Sequence, residues 1–234
     1  GPRRVKPILE KLRRSVWDKN RVAVVTDHYV PIEGEETRAI QELTREWVLE
    51  QDIKNFYDQQ GICHVVLPER GHLSPGMFCV GGDSHSPTGG AFGAYMFGIG
   101  ATEMAGVLAT GEIWIKVPET ILIKWTGQTD AFVTAKDMML ATCAKIGMGG
   151  GRYQAIQYAG EAIHKLNMQE RMTMSNMAAE LGAQAGLISP DETTIEYLKS
   201  VNASILDNWQ NYQIEKPDLN GEVINLDASS LSPQ

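Results

Sequence analysis

The residues with the clearest potential for chemistry are Asp83, Ser84 and His85, which stand side by side after a short apolar run. Glycines flank them, as where a strand of an open α/β sheet gives way to a loop and a helix. An aspartate can orient an imidazole, a histidine can transfer protons, and a serine can bind a carboxylate. A plain loop with a structural histidine and an aspartate cap fits equally well, and the spacing does not choose between the two interpretations.

Two more histidines stand in or just after predicted strands. His28 follows Asp27 at the end of a β-branched run, and His64 lies within another predicted strand. Because the carboxyl ends of parallel strands meet at one edge of a sheet, these imidazoles are expected to converge with His85. Such a cluster suits general acid–base catalysis on a polyacid, or metal binding. Three unrelated histidines are the alternative.

The hydrophobic pattern predicts the elements that position these residues. Helices are expected at 6–18, 35–60 (one helix or two), 98–110, 134–146 and 171–185, and beyond an N-cap at Ser189. Strands are expected at 21–26, 62–67, 77–80, 121–125, 153–158 and 223–226. This alternation predicts an α/β fold with parallel sheets and helices on both faces. A boundary at Pro118 gives predicted domains 1–117 and 118–234.

Two polar residues of the predicted helix 171–185 form a second candidate set. Asn176 and Glu180 are spaced one helical turn apart, so they would share a face. An exposed polar face explains that spacing as well as a functional site does. His72, in a predicted loop, and His164, on a predicted helix, have no such support and are interpreted as structural or exposed.

Length and composition narrow the class of protein. The 234 residues are 43% hydrophobic, enough for one large or two modest domains. A net charge of −8 without a long basic run argues against nucleic-acid binding, and no apolar segment approaches the length of a membrane span. The start lacks the apolar core of a signal peptide, so a cytoplasmic location is expected. The cysteines are widely spaced, which favours reduced, buried thiols over a metal site: Cys63, Cys79 and Cys143.

Residues 82–87 and 89–93 resemble the Asp-Ser-His signature of the aconitase superfamily. They are most similar to the large subunits of isopropylmalate dehydratase, homoaconitase and related alkylmalate dehydratases. Further segments resemble the family's motifs in the same order, at 27–31, 64–69, 75–76, 160–163, 172–183 and 190–194. One such motif alone would be weak, but the ordered series indicates the family.

The resemblance implies an aconitase-type fold of α/β/α layers and a hydro-lyase reaction. Family members dehydrate a 2-hydroxy di- or tricarboxylic acid to an enoate and rehydrate it at the neighbouring carbon. The resemblance favours an isopropylmalate-like or alkylmalate substrate, as in leucine biosynthesis. A 4Fe-4S cluster polarises the substrate hydroxyl as a Lewis acid in these enzymes.

Residue roles follow from the resemblance by position. His28, held by Asp27, is expected to protonate the departing hydroxyl. Ser84 is expected to bind a substrate carboxylate, and Asn176 to hydrogen-bond near the cluster. Two further pairs, in which a carboxylate orients an imidazole, are Asp83 with His64 and Glu180 with His85.

The sequence also departs from the family's pattern. The family's cluster cysteines lie in downstream segments, and none of the three cysteines here matches them. We therefore expect domains 1 and 2 only, with the N-terminal part of domain 1 missing. We expect no cluster and no activity in this chain alone, without the cluster domain and a small, swivelling-domain subunit. Two alternatives stay open: a cluster-free module that binds a dicarboxylate or a protein, and a metal hydrolase that uses His28, His64, His85 and Asp83.

Overall fold

The computed structural model describes residues 1–213 and 221–233 and shows an α/β fold. Its helices are α1 Pro2–Leu12, α2 Gly34–Glu50, α3 Cys63–Glu69, α4 Ala101–Thr110, α5 Ala135–Ile146, α6 Glu161–His164, α7 Met168–Asn176 and α8 Glu192–Ser200. Its strands are β1 Ala23–Thr26, β2 Asn55–Asp58, β3 Phe78–Gly81, β4 Tyr95–Gly98, β5 Thr120–Thr126, β6 Ala155–Ala159, β7 Ala185–Ile188 and β8 Val223–Asp227. Short 3-10 helices are Lys19–Arg21, Ser86–Phe92, Trp209–Tyr212 and Ala228–Ser230. Within these ranges no helix is both long and apolar enough to cross a membrane.

The chain groups into two compact units, each built from two separate stretches. Unit 1 comprises Gly1–Glu69 and Ile99–Lys116, and unit 2 comprises Arg70–Gly98 and Val117–Gln234. The segment that contains Asp83, Ser84 and His85 therefore packs within unit 2. The predicted domains 1–117 and 118–234 stay a prediction.

Unit 1 pairs β1 with β2 in parallel, so that Ala23 aligns with Asn55 and Thr26 with Asp58. Its core is an apolar cluster from α1, α2, α4 and the segment between α2 and β2: Val5, Leu9, Trp47, Val48, Ile53, Ala105 and Leu108. The helical spacing of these side chains puts them on inward faces. The strand predicted at 21–26 is confirmed as β1, and Asp27 directly follows its last residue.

Unit 2 contains a parallel four-stranded sheet in the order β7-β6-β5-β8, and β3 pairs in parallel with β4. The predicted strand β5 lies inside the four-stranded sheet, with Ile121, Ile123 and Trp125 buried. The predicted helix α5 starts at its Thr134 N-cap, whose hydroxyl accepts from the Asp137 N–H, and it ends at Gly147. These confirm the sequence predictions for strand, helix and fold class.

A buried arginine ties α7 to α8. Arg171 is fully buried, and its guanidinium donates to both carboxylate oxygens of Asp191, at 2.6 and 2.8 Å. It also donates to the carbonyls of Leu166 and His164, at 3.0 and 3.1 Å. Asp191, rather than the predicted Ser189, is the N-cap of α8, because its carboxylate accepts from the Thr194 N–H. A bidentate pair of this kind fixes the geometry of both helices.

The predicted strand 62–67 is wrong, because these residues lead into and form part of α3, and His64 is helical. The Asp27 carboxylate accepts a hydrogen bond from the Cys63 N–H at 3.0 Å, which satisfies a donor at the start of the helix. A short β-branched run such as Val65 and Val66 is compatible with either structure, and the helix found here is supported by a contact from 36 residues away.

Three predicted helices also differ from the structure. The first, 6–18, is Pro2–Leu12, ended by the left-handed Arg13. The second, 35–60, ends at Glu50, and β2 follows it. The helix predicted at 171–185 ends at Asn176, and tight turns lead from it into β7, so Asn176 and Glu180 do not share a helical face. Strands β2, β4 and β7 were not predicted: β2 falls within the helix predicted at 35–60, β4 lies between glycines, and β7 contains the small residues Ala185 and Gly186.

Candidate active site

The first histidine–carboxylate pair lies at the end of β1 in unit 1. The Asp27 carboxylate is 2.6 Å from Nδ1 of His28 and accepts the His28 backbone N–H at 2.8 Å. Its other oxygen accepts from Cys63. Asp27 is 12% exposed in its side chain, whereas the His28 side chain is 66% exposed. A shielded carboxylate thus holds an imidazole that is accessible from outside.

The charge of this pair is set by opposing effects on Asp27. Burial raises the pKa of the Asp27 carboxyl, but the hydrogen bonds from His28 and Cys63 outweigh it, and the pKa lies below its usual value. Asp27 is therefore a carboxylate near neutral pH. An imidazole held by a carboxylate at one ring nitrogen can pass a proton from the other, so the arrangement suits His28 to general acid–base chemistry.

The Asp83-Ser84-His85 turn follows β3 in unit 2. The Asp83 carboxylate accepts the His85 N–H at 2.7 Å, and the Asp83 carbonyl accepts the Ser86 hydroxyl at 2.7 Å. Asp83 thus acts partly as a turn cap, as the plain interpretation of the loop holds. The 3-10 helix Ser86–Phe92 then leads away from the turn.

Two glycines, Gly90 and Gly98, allow the backbone around this turn to pack closely. A Cβ on Gly90 would lie 1.8 Å from the carbonyl oxygen of Gly186, at the start of β7. A Cβ on Gly98 would lie 2.5 Å from the Asp83 carbonyl oxygen. Both distances are too short for a side chain, so these glycines let the turn press against its supporting strands.

The second histidine–carboxylate pair joins distant segments of unit 2. Nε2 of His85 lies 3.1 Å from Oε1 of Glu180, and Nδ1 lies 3.1 Å from the Ser84 hydroxyl. Both side chains are about one third exposed, at 36% and 34%. The structure therefore brings together Ser84, His85 and Glu180.

The hydrogen-bond roles of Ser84 depend on the charge of His85. A neutral ring that donates from Nε2 to Glu180 accepts at Nδ1, so the Ser84 hydroxyl donates to the ring. A protonated ring donates at both nitrogens, so Ser84 accepts and its own proton can bind a substrate carboxylate. The charge of the His85 ring and the hydrogen-bond role of the Ser84 hydroxyl are therefore coupled by this geometry.

Asn176 supports the turn through a residue that sequence reasoning missed. Its amide donates to the Thr88 hydroxyl at 2.9 Å, and Thr88 donates to the His85 carbonyl at 2.6 Å. Thr88 is 4% exposed, so this chain of hydrogen bonds is largely shielded from water. Thr88 lies inside the glycine-rich signature, and this position is the signal from which the sequence could have indicated its role.

The remaining histidines are His64, His72 and His164. His64 lies on α3 in unit 1, with both ring nitrogens 3.7 Å from the Cys63 sulfur. The implied pairing of Asp83 with His64 joins residues of different units and stays a prediction. Burial lowers the pKa of His72. His164 lies 3.7 Å from Asp191, which also binds Arg171.

The cysteines do not fit a 4Fe-4S cluster, which needs several thiolates close together. Burial raises the pKa of Cys79, and burial together with Glu180 raises that of Cys143, so both stay protonated thiols. In the described part of the chain, no cysteine belongs to a group of three potential metal-ligating side chains. A cluster would need ligands from elsewhere.

The sequence matches known proteins over its whole length. The model of the aconitase family (aconitate hydratase) matches residues 8–234. The chain is 42% identical over 237 residues to the 3-isopropylmalate dehydratase large subunit 1 of Methanopyrus kandleri, which covers 100% of this chain and 56% of that protein.

Other relatives are named either homoaconitase or 3-isopropylmalate dehydratase large subunits. The probable methanogen homoaconitase large subunit of Methanosarcina mazei is 47% identical over 186 residues, covering 79% of this chain and 48% of that protein. The 3-isopropylmalate dehydratase large subunit of Moorella thermoacetica is 38% identical over 223 residues, covering 94% and 52%. The chain spans about half the length of these relatives.

Proposed function

The chain belongs to the aconitase family, and from this premise we propose that it is part of a hydro-lyase for 2-hydroxy di- or tricarboxylic acids. The reaction removes water to give an enoate and adds it back at the neighbouring carbon. The names of the relatives point to isopropylmalate and to the larger acids of a homoaconitase as the substrate class.

The observation that carries the proposal is the pair of histidine–carboxylate contacts at the family's motif positions. In unit 1, the exposed imidazole of His28 is held by the ionised carboxylate of Asp27. Loss of a hydroxyl group requires a proton at the departing oxygen, and we assign its delivery to His28.

In unit 2, the turn supplies groups for binding and orientation. We assign a substrate carboxylate to the Ser84 hydroxyl, which already lies beside the His85 ring. Glu180 fixes the His85 ring through Nε2. Asn176 holds the turn in place through Thr88, in addition to any contact it makes near a cluster.

Enzymes of the aconitase family carry a 4Fe-4S cluster, which supplies Lewis-acid activation of the substrate hydroxyl when bound. Because this chain's cysteines do not fit that group, we assign the cluster ligands to a partner region. We also assign a small subunit as partner, since the relatives are named large subunits.

The test is an anaerobic assay of the complete large subunit with its cluster and a small subunit, using isopropylmalate and a tricarboxylic 2-hydroxy acid. We expect His28→Ala to lower kcat by about 10²–10⁴-fold, the contribution of a general acid. His164→Ala is the matched control, because His164 is also an exposed histidine beside an aspartate.

Equal activity of the two variants would contradict the assignment of His28. Calorimetry with malate analogues addresses the non-catalytic alternative. Binding without turnover, even in the complete and cluster-loaded assembly, would show that the chain is a dicarboxylate-binding module instead.

A further inference from the structure

Four buried side-chain polar atoms of unit 2 lack a hydrogen-bond partner among the described residues. Two of them are Nε1 of Trp125 and the Ser175 hydroxyl, and the other two are the hydroxyl of Tyr158 and Oε2 of Glu180, whose Oε1 contacts His85. Tyr158 is 1% exposed. Buried polar groups are almost always hydrogen-bonded, so each of these atoms calls for an explanation.

One apolar cluster connects Tyr158 with the residue next to Glu180. Tyr158, on β6, packs in the cluster that contains Leu181, the neighbour of Glu180, and Cys143 packs against that cluster. Burial raises the pKa of the Tyr158 hydroxyl, and Cys143 and Glu180 raise it further. The phenol therefore keeps a proton to donate. Oε2 of Glu180 is an acceptor that lacks a donor among the described residues.

We propose that Tyr158 is a positioning residue, whose hydroxyl donates to Oε2 of Glu180 across one water molecule. Glu180 is then held at both oxygens, by Tyr158 from the core and by His85 from the turn. A carboxylate fixed in this way keeps the His85 ring in one orientation and one tautomer. The role in catalysis rests on the proposed function, but the contact itself does not.

The first test is a double-mutant cycle in thermal stability, made on this chain. Tyr158→Phe removes only the hydroxyl. If that hydroxyl binds Glu180, the Tm falls by roughly 2–4 °C, because a buried carboxylate oxygen loses its donor. In a Glu180→Ala background the same change no longer lowers the Tm, because the acceptor is already gone.

Ser175→Ala is the matched control, since the Ser175 hydroxyl is also buried without a partner in the same unit. We expect it to leave the Tm unchanged or raise it, as loss of an unpaired polar group does. If Tyr158→Phe behaves in the same way as Ser175→Ala, or lowers the Tm equally in both backgrounds, the proposal is wrong.

The second test is the nitrogen NMR spectrum of the His85 ring, which a purely structural role of Tyr158 would leave unchanged. We expect wild type to show one dominant tautomer with the proton on Nε2, and Tyr158→Phe to shift both nitrogens toward the averaged pattern. The exposed Tyr153 provides the control Tyr153→Phe, which should match wild type.

An unchanged His85 spectrum in Tyr158→Phe would overturn the positioning role. So would a shift produced by Ser175→Ala but not by Tyr158→Phe. Neither readout requires turnover, so failure of this contact and failure of the His28 assignment in the activity assay are told apart.

Discussion

His28 and His85 each contact a carboxylate, but the two pairs are built in different ways. Asp27 and His28 are adjacent in the sequence, and the His28 ring is 66% exposed. His85 and Glu180 are 95 residues apart, and the His85 side chain is 36% exposed. The first pair is local and open, and the second is tertiary and half-buried.

The two pairs therefore depend on different parts of the fold. The His28 pair needs the end of β1 and the Cys63 N–H that Asp27 accepts. The His85 pair needs the turn after β3, the close approach of Gly90 to β7, and the end of α7. Damage to the core of unit 2 should therefore disturb the second pair while the bonds within the first remain.

The largest effect is expected from Arg171→Leu, which removes the buried cation between α7 and α8. Asp191 would keep a shielded charge, and the carbonyls of Leu166 and His164 would lose their donor. We expect a loss of about 3–5 kcal/mol in the free energy of unfolding, measured by urea denaturation. The His85 ring signals should broaden, whereas those of His28 should remain.

Arg3→Leu is the control, because the Arg3–Glu36 pair is exposed on both sides. Such pairs contribute about 0–1 kcal/mol. Similar losses in the two variants would show that the buried pair is not the support of α7 that the structure indicates.

The next effect tests the close packing beneath the turn. Gly90→Ala puts a methyl group against the Gly186 carbonyl, and we expect it to cost about 1–3 kcal/mol in urea denaturation. Gly106→Ala in α4 meets no atom within 4 Å and should stabilise by about 0.5–1 kcal/mol. A neutral Gly90→Ala would mean that the turn and β7 can separate without loss.

Sequence patterns predicted the elements whose signals are local. The hydrophobic pattern predicted a strand at 121–125 and a helix at 134–146, which the structure shows as β5 and α5. The motif order indicated the family, which the match over residues 8–234 confirms. The local Asp27–His28 contact was visible for the same reason, because adjacent residues need no tertiary information.

The parts that depend on distant residues were not predictable in this way. The segment at 62–67 folds as a helix in part because Asp27 accepts its first N–H. Glu180 reaches His85 from a turn rather than from the predicted helix face, since α7 already ends at Asn176. Arg171 and Tyr158 belong to no motif, and only their burial shows what they support.

A smaller effect is expected from Thr88→Val, which keeps the shape of the side chain but removes its hydroxyl. The Asn176 amide loses its acceptor and the His85 carbonyl loses a donor. We expect a loss of about 1–2 kcal/mol in the free energy of unfolding. Thr88→Ser should restore most of it, and a Ser variant as unstable as Val would point to lost methyl packing instead.

The smallest effect concerns the exposed pair and appears only in acid. Because the pKa of Asp27 is lower in the folded chain than its ordinary value, its carboxylate contributes stability above that ordinary value of about 3.9. This contribution is lost as the pH falls from there through the lowered pKa. Asp27→Asn should therefore flatten the decline in the urea midpoint below about pH 4, relative to wild type.

Asp130→Asn, at an exposed carboxylate, is the control and should leave the decline unchanged. The pH range matters for the comparison of the two pairs. A flattened decline would show that His28 and Cys63 hold the ionised form of Asp27 even at an open surface. Parallel curves for Asp27→Asn and wild type would mean that the local pair is only a solvent-screened contact, and its hold on the His28 ring would then be weak.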